Sequence, residues 1–165
     1  FSRGGRWGTW NDASSVVLML AMIPVALLLT IIALEVVTTV ALAIGAVGIG
    51  AMLVLAALQA LLVAGRVTYE QTKVAVLAVG GVVGVWYLLT AIATGSTGLP
   101  DGLRLAAAVA GLGFIGVGIG FLRGGQDDRL AQVAGLTLFV ASLVFQVWIG
   151  ALLLAGSLTI PAWDA

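Results

Sequence analysis

Residues 13–65 read ASSVVLMLAMIPVALLLTIIALEVVTTVALAIGAVGIGAMLVLAALQALLVAG, and the reading of this run decides the fold. Glu35 is its single charged residue, set among Val, Leu, Ala, Ile, Gly, Met and Thr. A soluble domain cannot hide so long an apolar stretch, since about a quarter of its residues are ordinarily charged. The medium around this chain is therefore lipid. The whole sequence repeats the signal: of 165 residues, 62% are hydrophobic and 8% charged, with a mean hydropathy of +1.22.

A helix crossing the hydrocarbon core needs about 20 residues at 1.5 Å each. A run of about fifty would make a rod of roughly 75 Å, so the stretch must fold back. Its most polar point is Glu35 with Thr38 and Thr39. Breaking there leaves Ser15–Leu34 and Val40–Gly65, each long enough to cross. Breaking at Gly45, Gly48 and Gly50 would leave a second piece of about fifteen residues, too short to span. Three further charge-poor runs each supply one helix. The run after Asp12 is far too long for the apolar core of a signal peptide.

The expectation is an all-α, polytopic transmembrane bundle of five helices, near 15–34, 40–65, 74–94, 103–122 and 130–156. It forms one integral membrane domain over 1–165. The connections agree. Arg66–Lys73 is polar, Arg123–Arg129 is short and charged, and Pro100-Asp101-Gly102 has the residues of a turn. Asp12 or Ser14 is expected to cap the first helix by accepting backbone N–H bonds, and Pro24 to kink it mildly.

Orientation follows from the cations. With five helices, Arg3, Arg6, Arg66, Lys73, Arg123 and Arg129 share one face, and Arg104 lies on the other. The positive-inside bias predicts a cytoplasmic amino terminus and a carboxyl terminus outside. Trp7 and Trp10 on one side and Trp163 on the other suit the headgroup region. Ala-, Val- and Gly-rich, Lys-poor usage resembles that of membrane proteins from high-GC microbes, which points to a prokaryotic plasma membrane, a virion membrane being the other setting considered.

Composition also excludes. Seven cations balance seven anions, which argues against nucleic-acid binding, and the absence of Cys and His removes thiolate chemistry, zinc and His-ligated haem. No metal or cofactor is expected. Gly111-Leu-Gly113-Phe-Ile-Gly116 matches a dinucleotide fingerprint, but that motif needs a preceding strand and a later acid to bind anything. Here it sits in an apolar twenty-mer, so the glycines are read as helix packing. Asp127 and Asp128 are read as a solvated charge cluster.

Gly113, Gly116 and Gly120 fall within about 60° of one another on a helix. Gly80 and Gly84 form a second small-residue step. Thr38, Ala41, Gly45, Gly48, Met52, Ala56 and Gln59 share one face of the second helix. Gln132, Gly135, Ser142, Gln146, Gly150 and Ser157 share one face of the fifth. Glutamine in lipid needs a partner, so Gln59 and Gln146 should face protein. Glu35, Gln59, Ser142 and Gln146 are the residues for a polar path or for interhelical hydrogen bonds, the latter preferred. Glu35 is also a candidate ion-pair partner for Arg104. Lys73 is read as a snorkelling interfacial lysine beside Glu70, and Trp86, Tyr87 and Trp148 as aromatics filling gaps between glycine-rich helices. Ser142 and Ser157 lack a base, so an enzyme is not expected. The function expected is a non-catalytic accessory subunit, partnered by the lipid bilayer and by other membrane subunits or further copies of itself. Transport along the second and fifth helices is the alternative.

Overall fold

A computed structural model describes residues 6–36 and 38–158, apart from the side chains of residues 6–8, 11 and 126. Arg3, Trp163 and the side chains of Arg6 and Trp7 thus lie outside the described residues. The chain is all-α, with five long helices: α1 (Arg6–Leu34), α2 (Thr38–Val63), α3 (Tyr69–Ala93), α4 (Asp101–Gly124) and α5 (Arg129–Leu154). Each contains a stretch long and apolar enough to cross a membrane, from 23 residues in α1 to 26 in α2 and α5.

The long first run does break at Glu35, which sits in the turn between α1 and α2. Val36 N–H donates to the Ala33 carbonyl at 3.1 Å, and the Thr38 hydroxyl donates to the Leu34 carbonyl at 3.3 Å. Helix ends elsewhere follow local chemistry. After α2, Gly65 takes φ 65°, and the Gly65 and Arg66 amides reach back to the Leu62 and Leu61 carbonyls. Gly156 at φ 64° repeats the arrangement after α5, with Gly156 and Ser157 donating to Leu153 and Leu152. Only a left-handed residue lets two amides turn back onto orphan carbonyls in this way, which is why glycine stands at both places. Thr68 N–H donates to Gln71 Oε1 at 2.9 Å at the start of α3, and Asp128 accepts from Leu130 N–H at 2.8 Å at the start of α5.

One expectation at the amino terminus is corrected. α1 begins at Arg6, so Asp12 and Ser14 lie inside the helix and do not cap it. The helix continues through residues 6–12 although Gly8, Thr9 and Asn11 are poor helix formers, so the end of the apolar run does not mark its start.

Short links make consecutive helices antiparallel neighbours. α1 packs on α2, α2 on α3, α3 on α4 and α4 on α5, and α1 also touches α3. The row is curled but not closed through backbone contact: no Cα of α1 comes within 8 Å of one in α5. One end of the bundle gathers the start of α1 and the links bearing Arg66, Arg123 and Arg129, with Lys73 one turn into α3. The opposite end gathers Glu35, Asp101 and Arg104. The former is called the basic end below.

Large apolar side chains face outward on every helix, among them Val17, Leu42, Ile92, Leu112 and Phe139, each more than half exposed. In water such a surface would aggregate; in lipid it is solvated. Trp10, 69% exposed near the basic end, fits the same medium.

The interior is close-packed around small residues. A Cβ placed on Gly84 would lie 2.8 Å from the Gly111 carbonyl oxygen, and one on Gly111 2.6 Å from that of Gly84. On the other face of α4, a Cβ on Gly113 would lie 2.8 Å from Leu138 Cα, and one on Gly116 2.8 Å from Ala134 Cβ. Gly120 abuts the Ala131 backbone, Gly48 lies under the Trp86 indole and Gly45 under Thr30. Gly80 is looser, its nearest neighbour being Phe114 at 3.8 Å.

Candidate functional site

Five helices curled with an unclosed seam leave an internal space. A cavity of about 540 Å³ lies in the half of the bundle nearer the basic end, with side chains from all five helices around it. Its wall is mostly Leu, Val, Met, Phe and Gly. Glycine explains much of the room: Gly80, Gly118 and Gly135 all line it, and none has a neighbour closer than 3.7 Å to where a Cβ would stand.

Ser14, Ser15 and Gln59 line its part nearer the basic end, and Tyr87, Ser142 and Gln146 cluster at its deep end. The Tyr87 hydroxyl donates to Met22 Sδ at 3.6 Å, and Gln146 Nε2 donates to the same sulfur at 3.2 Å. Ser142 also lies beside the Tyr87 hydroxyl. Helices α1, α3 and α5 thus meet through a thioether, which is a weak acceptor for two good donors. Ser142 Oγ is buried without a hydrogen-bond partner, although serine in a helix commonly bonds back to the carbonyl four residues earlier. Gln59 Oε1, on α2, is buried and unpartnered as well.

Aromatic packing holds the deep end in place. Tyr87 is 2% exposed, and its ring lies 4.9 Å from Trp86 and 5.5 Å from Phe145, both edge-on. Phe114 stacks on it at 6.0 Å. Such contacts fix the phenol so that its hydroxyl points to the α1–α5 seam rather than into the core.

The structure brings some of the sequence-predicted residues together and separates others. Gln59, Ser142 and Gln146 all reach the cavity. Glu35 does not: it is exposed in the α1–α2 turn at the opposite end. Nor is Arg104 engaged as the Glu35 pairing would require. Its Nη1 pairs with Asp101 at 2.8 Å and its Nε donates to the Ala91 carbonyl at 3.0 Å. Asp101 lies three residues before Arg104 on the same helix face, and an ion pair at that spacing needs no long-range fold. Lys73 pairs with Glu70 at 2.6 Å, and Arg123 lies 3.7 Å from Asp128.

The α2 face expected to be buried largely is, from Ala41 through Gly45, Gly48 and Met52 to Ala56, with Thr38 exposed at its start. The α5 stripe is split. Ser142 is buried, and Gly135 and Gln146 border the cavity, whereas Gln132 and Ser157 are exposed. Tyr87 and Met22 carry half the polar cluster, and neither stands out from its neighbours in the sequence. Tyr87 reads as an aromatic gap-filler, and Met22 is one apolar residue in a run of twenty. The Gly111–Gly116 motif lies in the interior of α4, which begins ten residues earlier, so its amides are already spent on helix bonds.

Chemically, the wall offers hydrogen bonds and apolar contact. Among the described residues no acid, lysine or arginine lines the cavity, and no group of three or more acids stands ready for a metal ion. Comparison with family models, with curated proteins and with solved structures finds no match to this chain.

Proposed function

We propose that this chain is a small, non-catalytic accessory subunit of a larger membrane assembly in a prokaryotic plasma membrane. One observation carries the reading: between Ala43 and Ala57 a stripe of small residues runs down the outward face of α2, flanked by Leu42 and Leu53 on one side and by Val47 and Val54 on the other. Ala43, Ala46, Gly50 and Ala57 are all exposed and lie within about 60° of one another at 100° per residue. Gly50 has nothing within 4 Å of the place a Cβ would occupy. The outward faces of α4 and α5 are instead bulky, with Leu105, Leu112 and Leu122 on one and Leu136, Phe139 and Val147 on the other. Bulky faces suit acyl chains. A smooth stripe lets a second backbone approach closely, which drives helix association where lipid removes the hydrophobic term.

The glycines inside the bundle act by the same physics between α3, α4 and α5. With Arg66, Lys73, Arg123 and Arg129 at one end and Arg104 at the other, the basic end is assigned to the cytoplasm and the carboxyl terminus to the outside.

Purification in mild detergent tests the subunit reading. The native protein should elute with companion subunits or as an oligomer. Gly50→Leu with Ala46→Leu should release them while the melting temperature stays unchanged. A lone monodisperse monomer from native membranes would end the proposal.

Transport is a second reading, favoured by the convergence of Gln59, Ser142 and Gln146 on one cavity. Proteoliposome flux abolished by Gln146→Leu, and untouched by Glu35→Gln, would select it over the first. If no path exists, Gln146 serves as an interhelical donor, to Met22 Sδ, in a bond of about 0.6 kcal/mol.

A further inference from the structure

The cavity poses a problem that neither reading resolves. A space of about 540 Å³ is the size of a small-molecule site, and it lies in a bundle otherwise packed to backbone contact. Its deep polar cluster is under-satisfied: Tyr87 and Gln146 both donate to a single thioether, and Ser142 Oγ has no partner at all. Ser142 stands thirteen residues into α5, about 20 Å from that helix's start, so bulk water does not reach it from the interface. An unpaired hydroxyl at such depth is costly.

The wall also defines what would satisfy it. Besides the cluster, Ser14, Ser15 and Gln59 are the polar side chains of the lining, all toward the basic end; the rest of the wall is apolar, so an occupant must be mainly hydrocarbon. Among the described residues no acid, lysine or arginine lines it, so a charged occupant would meet no counter-ion there. The cluster supplies donors in excess and one hydroxyl that both gives and accepts, which calls for an oxygen on the occupant. Access is lateral. At the α1–α5 seam the rim residues Leu18, Phe139 and Leu143 are exposed, and exposure on this surface means exposure to acyl chains. From Gly135 to Gln146 the wall runs about 16 Å along α5, which fits a chain better than a compact solute.

We infer that the cavity is a binding site for one uncharged long-chain lipid bearing a hydroxyl, which enters from the bilayer between α1 and α5 and places its oxygen against Tyr87, Ser142 and Gln146. The Ser142 hydroxyl gains a partner, and Gln146 gains an oxygen acceptor stronger than sulfur. Gln59, four residues from the end of α2, borders the shallower part, away from this cluster. The inference does not depend on the subunit reading, since it concerns the inside of the bundle rather than its outer face.

Equilibrium binding to the full chain in nanodiscs tests it, using a radiolabelled C20 prenyl alcohol, the matched hydrocarbon and the matched carboxylate. The alcohol should bind one per chain, at least tenfold more tightly than either control. Gly118→Leu and Gly135→Leu fill the cavity from positions with room, and each should abolish binding while the melting temperature holds or rises. Ser142→Ala should leave a folded protein whose preference for alcohol over hydrocarbon falls severalfold. Equal binding of hydrocarbon and alcohol would overturn the inference, as would undiminished binding in both cavity-filling variants. A cross-link from Leu18 or Leu143 to a partner helix seated in the seam would overturn it too. Failure of the subunit reading would appear in the size of the native complex and would leave these results unchanged.

Discussion

The two halves of this bundle are built from the same residues and packed to opposite ends. Toward the end bearing Glu35 and Arg104, the glycines between helices face side chains that fill the space beside them. Gly48 lies under Trp86, Gly45 under Thr30, and a Cβ on Gly102 would lie 2.7 Å from the Trp148 ring. The void left in that half is about 10 Å³, too small to hold anything. Toward the basic end, Gly80, Gly118 and Gly135 face one another's space, and about 540 Å³ stays open. Glycine content therefore does not determine packing density. What sits opposite each glycine does, and the three most enclosing aromatics, Trp86, Phe145 and Trp148, all contact the filled half.

That contrast can be broken from either side. The largest effect is expected from Trp86→Ala, which removes a side chain only 2% exposed from the filled half. Thermal unfolding in detergent should show a loss of about 3–5 kcal/mol. Near-neutral behaviour would mean the half is not held by this packing. Gly111→Val should come next. Its Cβ would meet the Gly84 carbonyl oxygen at 2.6 Å and force α3 and α4 apart, at about 1–3 kcal/mol by overpacking. The hollow half should respond in the other direction. At Gly135 a methyl would stand 3.8 Å from Val117, an ordinary contact, and alanine suits a helix interior better. Gly135→Ala should therefore stabilise by about 0.5–1 kcal/mol in the same assay. Destabilisation there would show that the space is already occupied by something the substitution displaces.

Much of this arrangement was legible in the chain, for identifiable reasons. Spans are set by length and by the positions of charges, so the break at Glu35 and the five-helix count followed from arithmetic. The α2 face followed from periodicity, because small residues recurring at helical spacing mark where another helix comes close. Boundaries were less secure. α1 runs back to Arg6 past Asp12 because a helix can leave the apolar layer without unwinding.

The site was half legible. Gln59, Ser142 and Gln146 stood out because amides and hydroxyls are rare in such segments. Tyr87 and Met22 did not, since their part depends on which helices lie across the seam from one another. The cavity itself was beyond reach, because a void is a property of facing surfaces rather than of any one of them. Arg104 teaches a smaller lesson. Its partner was Asp101, three residues away, and the search across the bundle toward Glu35 passed over the nearer acid.

The short connection between Leu34 and Thr38 has a consequence for biogenesis. A connection so short leaves α1 and α2 no room to settle in the bilayer separately, so they must insert together as one hairpin, already packed along their shared face. Under the orientation proposed above, Glu35 is carried across the hydrocarbon at the tip of that hairpin. A carboxylate held at the centre of a lone helix costs about 2.5–3.5 kcal/mol on insertion scales. The acid therefore resists translocation until both apolar arms have been synthesised, and it afterwards resists withdrawal. Completion of α2 at Val63 is therefore the step that commits this hairpin to the bilayer.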